Sequence, residues 1–212
     1  MILKIRWYFI AILLCSISIS CSKKIVPLAG YGTIKREMRA VDVNKITFIS
    51  KENISLNVDY EFKLNLSDSI LVYKDTIYSN YKTFSFKINR GKTYAISVFS
   101  LCDCWGFKKY MFNPEAIVSN DFGEKLDLKQ TSVKFGYDKG PLSLDKKWTL
   151  TSKTDGNIYL SVFSNNESLQ KDLYNFIATG VAYSGTVFIP LVIPVSVKSS
   201  LIGEFVIRVD EL

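Results

Sequence analysis

The sequence contains no histidine. That absence removes the base of the Ser-His-Asp and Cys-His nucleophile systems and the commonest zinc ligand. Cysteine is scarce as well. Of four residues, Cys15 and Cys21 sit near the N-terminus and only Cys102 and Cys104 lie in the body of the chain. A metal set built on that pair would need further thiols or imidazoles that the chain does not have, so no metal centre and no cofactor are expected. The chain also lacks a glycine-rich phosphate loop, an internal repeat and a linker dividing it into two large domains. No carboxylate pair stands at a spacing that assigns catalysis. Asp121, Glu124 and Asp127 fall close together and could hold calcium through their oxygens, but carboxylates in a turn are read first as solvated. These absences point away from an enzyme; a hydrolase working without histidine, through carboxylates or tyrosine, is the remaining catalytic alternative.

What is present begins at the N-terminus. Lys4 and Arg6 precede an uncharged, mostly apolar run from Trp7 to Ile19, and Ser18, Ile19 and Ser20 lead to Cys21. A positive end, an apolar run of about 7–15 residues and small residues before a cut are the parts of a secretory signal. A membrane-spanning helix needs about 20 apolar residues, and Lys23 and Lys24 close this run too early. Ile19-Ser20-Cys21 resembles the bacterial lipobox, with Ser18 standing where that pattern usually has leucine. The resemblance implies removal of residues 1–20, a diacylglyceryl group and fatty acids such as palmitate on Cys21, and a place in the bacterial cell envelope. Ser22, where retained lipoproteins have aspartate, resembles the pattern of those sent to the outer membrane. Ser18 and Ser20 also satisfy the ordinary signal peptidase, which would cut the same bond and release a secreted soluble protein without the lipid.

Charge divides the remainder. The whole chain has a formal net charge of +7. Residues 23–51 carry Lys23, Lys24, Lys35, Arg36, Arg39, Lys45 and Lys51 against Glu37 and Asp42, whereas from residue 52 onward 18 basic residues meet 18 acidic ones. The excess therefore adjoins Cys21. It reads either as attraction to anionic head groups, about 1 kcal/mol per basic residue near the surface, or as a solvated linker. Residues 21–44 are accordingly a basic membrane-proximal tether and 45–212 the folded domain. A neutral body in an exported chain argues against nucleic-acid binding.

The body reads as β-structure. Lys45–Ser50 is a candidate first strand. Ile54, Leu56, Val58, Tyr60, Phe62, Leu64 and Leu66 occupy every second position, the period of a strand with one wet face; its length implies a bend or bulge. Leu71–Tyr73 pairs next. Phe84, Phe86 and Ile88 alternate, as do Tyr94, Ile96 and Val98, and the four residues Asn89-Arg90-Gly91-Lys92 between them predict a hairpin. Short strands follow at Ala116–Ser119, Val133–Phe135, Trp148–Leu150 and Ile158–Phe163, with a turn at Asn120–Glu124. Over Glu167–Thr179 the spacing of Leu169, Leu173, Phe176 and Ile177, with Gly180 beyond, predicts one short helix. Val181–Val197 is uncharged and holds Pro190 and Pro194. Because proline is excluded from central strands, two strands, Val187–Ile189 and Val195–Val197, are expected around a Pro-Leu-Val-Ile-Pro loop. Glu204–Asp210 closes the chain. Many short strands with at most one or two helices give a mainly β fold, an antiparallel β-sandwich or barrel.

Phe84-Ser85-Phe86 with Gly91 and Tyr94, the strand Gly156-Asn157-Ile158-Tyr159-Leu160-Ser161-Val162 and the closing Gly203-Glu204-Phe205-Val206-Ile207-Arg208-Val209 resemble the bacterial pre-peptidase C-terminal type of jelly-roll module. The resemblance spans about half of the mature chain, and residues 164–202 stand where that family has a short connection. It implies a jelly-roll-like sandwich that serves in binding or attachment and is not itself catalytic.

Three places could carry recognition. Cys102-Asp103-Cys104 forms a disulfide only if the chain turns at Asp103, because an extended segment holds the two Cα atoms about 6.6 Å apart with parallel side chains; the alternatives are two idle thiols, a metal half-site or bonding to a partner. Trp105, Phe107, Tyr110 and Phe112 either stack on a glycan or grip an envelope protein or peptide, or pack as core. The Val181–Val197 insert is either a buried hairpin or a ribbon that meets a partner or a membrane.

Overall fold

The computed structural model describes residues 31–32, 41–42, 51–74, 76–104, 109–139, 142–184 and 187–212. The signal, most of the tether, the Lys45–Ser50 strand, Trp105 and Phe107 lie outside them. The strands are β1 (Val41–Asp42), β2 (Lys51–Asn53), β3 (Tyr60–Leu64), β4 (Ile70–Tyr73), β5 (Ile77–Ile88), β6 (Thr93–Leu101), β7 (Lys109–Phe112), β8 (Pro114–Asn120), β9 (Lys129–Gly136), β10 (Ser143–Thr151), β11 (Gly156–Ser164), β12 (Asp172–Ser184), β13 (Val187–Ser200) and β14 (Gly203–Glu211). The fold is mainly β, as the alternating patterns require, and it is a sandwich of two sheets with a three-stranded annex. One sheet runs β1-β4-β5-β11-β8, with β2 beside β5; the second runs β3-β14-β6-β10-β9; the annex is β12-β13-β7. Pairing is antiparallel except for the short pairs β1/β4, β2/β5 and β13/β7, which are parallel. Val41–Asp42, inside the stretch read as tether, is thus already hydrogen-bonded into the first sheet through Leu71 and Val72.

The two main sheets close on the inward residues of the alternating segments. Phe84, Phe86, Ile88, Ile158, Leu160 and Val162 from the first meet Tyr94, Ile96, Val98, Trp148, Leu150, Phe205, Ile207 and Val209 from the second. Phe62, Phe84, Phe112 and Phe205 form a ring cluster, with centroid separations of 4.5 Å for Phe62–Phe84 and 5.5 Å for Phe112–Phe205. Tilted and edge-on pairs of this kind each add about 0.5–1.5 kcal/mol beyond the area they bury.

The structure corrects four expectations. The strand expected over Ile54–Leu66 is strand only at Tyr60–Leu64. Asn57 takes a left-handed φ of 62°, and its N–H donates to the Val209 carbonyl at 2.7 Å while Ile54 N–H donates to Ser85. The segment carries the chain from one sheet across to the other. Likewise β5 and β6 do not form a hairpin. The Asn89–Lys92 loop is present, but its strands belong to opposite sheets, where β5 pairs with β11 and β6 with β10. Both strands expose their apolar face to the same interior, so the period cannot separate a hairpin from an arch.

The Glu167–Thr179 helix is absent. Asn165 caps a single 3-10 turn, Asn166–Ser168, Gln170 has a φ of 62°, and β12 begins at Asp172. Leu169 packs with Ile70 and Leu201, whereas Leu173 and Phe176 pack with a separate group around Met111, so their helical spacing is coincidental. From Asp172 onward the segment instead pairs with β13, with a register shift at Leu173, as its aromatic and β-branched residues favour. There is no Pro-Leu-Val-Ile-Pro loop either. β13 runs unbroken through Pro190 and Pro194, opposite Val181 and Ile177.

Candidate functional site

Beyond its base the β12–β13 ribbon is an arm. Near the base it is rooted by β7, whose Lys109–Phe112 pair in parallel with Val197–Ser200, and by a small apolar cluster of Cys102, Met111, Leu142, Leu144 and Val197, against which Phe135, Leu173, Tyr174 and Phe176 lean. Phe135, Tyr174 and Phe176 stack in a row, with centroids 4.5 Å and 5.9 Å apart. Farther out the apolar side chains lose their cover. Ile177 is 65% exposed, Val192 66% and Ile193 51%. The register places Ile177, Thr179, Val192 and Pro194 on one face and Ala178 and Ile193 on the other, so both faces present aliphatic surface. From Leu173 to Val197 the chain carries no charge over 25 residues. The buried-hairpin expectation for Val181–Val197 therefore fails at Val192 and Ile193.

The cysteine pair sits at the root. Cys102 and Cys104 are joined by a disulfide with Cα atoms 5.1 Å apart, closer than an extended segment allows. Asp103 between them bridges to Tyr110, exchanging N–H···O bonds of 2.8 and 3.2 Å. The Lys109 ammonium donates to the Cys104 carbonyl at 2.6 Å. Tyr110 is half-buried; its neighbours Met111 and Phe112 are fully buried in the root cluster and the main core respectively. Of the aromatic group read from the sequence, Phe112 is thus core, and Trp105 and Phe107 lie outside the described residues. The sequence reading takes Phe176 with Leu169 and Leu173 at helical spacing and gives Tyr174 no place, so it misses the aromatic row at the root; the separation of two between Tyr174 and Phe176 is the usable signal.

Two buried charges lie elsewhere in the body. Lys146 on β10 donates to Glu115 on β8 at 3.0 Å, tying the sheets together, and Asn165 donates to the same carboxylate oxygen. Asp145, 2% exposed, has no hydrogen bond on either carboxylate oxygen among the described residues; Lys134 and Lys147 stand 3.9 Å away. Burial pushes its pKa above the ordinary carboxylate value, against the pull of Lys147 and Lys134. Asp59, by contrast, is held below that value by its hydrogen bond with Lys139. Asp121 accepts from Tyr159 OH at 2.8 Å and from Asn157 N–H at 3.2 Å, so it shapes the turn before β11. A shallow hollow of about 340 Å³ is lined by Glu61, Phe62, Lys63, Leu101, Glu204 and Phe205. The Lys63–Glu204 ion pair, 3.1 Å long, lies in it. Among the described residues no three His, Cys, Asp or Glu side chains gather as a metal-ligand set.

No protein-family model matches the chain, and no curated protein matches it. Among solved structures it is similar to the 1.0 Å crystal structure of the pre-peptidase C-terminal domain of a collagenase from Bacillus anthracis. The TM-score is 0.34 and the identity 13%, over 76% of this chain and 95% of that one. A likeness of that size transfers no activity and no residue roles.

Proposed function

We propose that the chain is a lipid-anchored protein of the bacterial cell envelope, favouring the outer membrane, whose β-sandwich is a non-catalytic binding or structural module. The observation that carries the reading is the partition of the sequence. A signal ending at Cys21 is followed by a stretch holding the whole charge excess of the mature chain, and then by a neutral body. The acyl chains on Cys21 supply the hydrophobic anchor, and the basic residues add attraction to anionic head groups. Apolar side chains fill the space between the sheets, which leaves surfaces as the means of recognition. The arm and its root are the surface that differs most from the charged remainder.

Growth with an alkyne analogue of palmitate tests the anchor. The wild-type chain is expected to take up the label and to stay with membranes washed at physiological salt, and Cys21→Ala to lose the label and wash off. Label retained by Cys21→Ala would overturn the reading.

A further inference from the structure

The free edges of the body strands are protected against pairing with another chain. At the outer positions of the two sheets, β3 carries Glu61 and Lys63, β9 carries Lys129 and Lys134, and β8 begins at Pro114 and is covered farther along by Glu124–Leu126, which bond to Val118 and Asn120. Charge and proline are the usual means of blunting an edge. The arm treats its two edges differently. Along β13 the ladder to β12 is continuous through Pro190 and Pro194. A proline has no N–H to give that ladder, so both prolines occupy positions whose N–H side faces away from β12. The outer edge of β13 thus lacks two donors, and at its base β7 covers it. β12 has no such device. Among the described residues it pairs only with β13, and from Leu173 to Ser184 it contains neither charge nor proline.

We propose that β12 is an assembly edge that adds, antiparallel about a two-fold axis, to β12 of a second copy of this chain. The product is a four-stranded ribbon in the order β13-β12-β12′-β13′. A two-fold contact sets each residue type against the same stretch of its partner, and a strand without charge is self-compatible because no like charges meet there. The ribbon then ends on proline-blunted edges at both sides, so assembly closes at two copies and no fibre grows. Twelve residues give a contact about 40 Å long. Its area is small against the roughly 800 Å² per partner of a standard interface, so the ladder needs the high effective concentration that a shared membrane supplies. In this respect the inference rests on the anchor proposed above.

Single cysteines introduced at Asn175, Ile177, Thr179 or Val181 of the full-length protein, oxidised in its own membrane, test the pairing. With residues k and d counted along β12, a position k away from the dyad residue d meets its counterpart at a separation growing by about 6.6 Å per residue. Disulfide-linked dimer should therefore peak at one or two positions and fall away on either side. Ile177→Pro with Val181→Pro, opposite the natural prolines and on the same outward-facing side, should reduce linkage through cysteines at Asn175 and Thr179 to background. Thr179→Lys, in a scan at the remaining positions, should do the same without constraining the backbone. A flat profile, no dimer at any position, or a peak indifferent to both variants overturns the proposal. So does shielding of all four thiols from a water-soluble maleimide without cross-linking, which would assign the arm to the lipid. Wild-type protein reports on the anchor separately, since dimer there would come from an unacylated Cys21.

Discussion

At the scale of single residues the most informative group is Asp145. It is almost wholly buried on β10 and accepts no hydrogen bond from the described residues, and two ammonium groups at 3.9 Å partly offset its charge. Its pKa in the folded protein lies above that in the unfolded chain because burial disfavours the carboxylate. The native state therefore holds this proton more tightly than the unfolded state does. The group is harmless to stability below the ordinary aspartate value, and its cost grows as the pH rises from there through the raised native value. Asp145→Asn should accordingly stabilise the protein near neutral pH, by about 1 kcal/mol, the low end for a buried polar group without a hydrogen bond, because the two ammonium groups already offset part of the cost. The gain should shrink toward zero in acid. Thermal melts of the two proteins at pH 7 and pH 4 measure it; a gain that grew on acidification would contradict the assignment. The surface pairs deserve no such weight: Lys63–Glu204 and Lys74–Glu167 are largely exposed, and pairs of that kind contribute about 0–1 kcal/mol.

At the scale of elements the disulfide can be judged by what it closes. Cys102 and Cys104 bracket one residue, so by the chain-entropy relation the link is worth roughly 1.5 kcal/mol, near the low end for disulfides. Its effect should be local, because it sits beside Met111, Leu142, Leu144 and Val197 at the root of the arm. Replacing both cysteines with serine should lower stability by about that amount and speed hydrogen exchange in β7 and the base of β13, leaving β5 and β11 protected. Uniform loss of protection would mean that the link supports the whole domain. The same scale shows what the sequence made legible. Inward positions such as Phe84, Ile96, Trp148, Leu160 and Ile207 were readable from alternation, because burial on one face imposes a period of two. Which sheet each strand joins was not readable, because arches such as β5–β6 and hairpins share that period. The arm was misread for another reason. Leu169, Leu173 and Phe176 happen to fall at helical intervals, and the rule that keeps proline out of central strands still leaves it free on an edge, where β13 carries Pro190 and Pro194. Of the candidate site, the cysteines and Tyr110 were visible as residues. Their meeting at the root of the arm depends on the parallel pairing of β7 with β13, which joins residues some ninety positions apart.

At the scale of the whole molecule the division between a basic N-terminal stretch and a neutral body makes a quantitative statement about attachment. Seven basic residues stand against two acidic ones between positions 23 and 51, and the 18 basic and 18 acidic residues that follow cancel. If each basic residue near an anionic surface contributes about 1 kcal/mol, this stretch alone gives weak, reversible binding even without acyl chains. On the proposed reading the several acyl chains of Cys21 would supply the stable anchor and this stretch would add to it. Protein carrying Cys21→Ala should therefore still sediment with vesicles rich in anionic lipid at low ionic strength. It should detach as salt shortens the screening length from about 30 Å at 0.01 M to about 8 Å at 0.15 M. Replacing Lys23, Lys24, Lys35, Arg36 and Arg39 with glutamine should abolish the residual binding, while glutamine at five exposed lysines of the body should leave it unchanged. Equal binding to vesicles of neutral lipid would show instead that apolar surface holds the protein to the membrane, and the exposed aliphatics of the arm would then be the group to remove next.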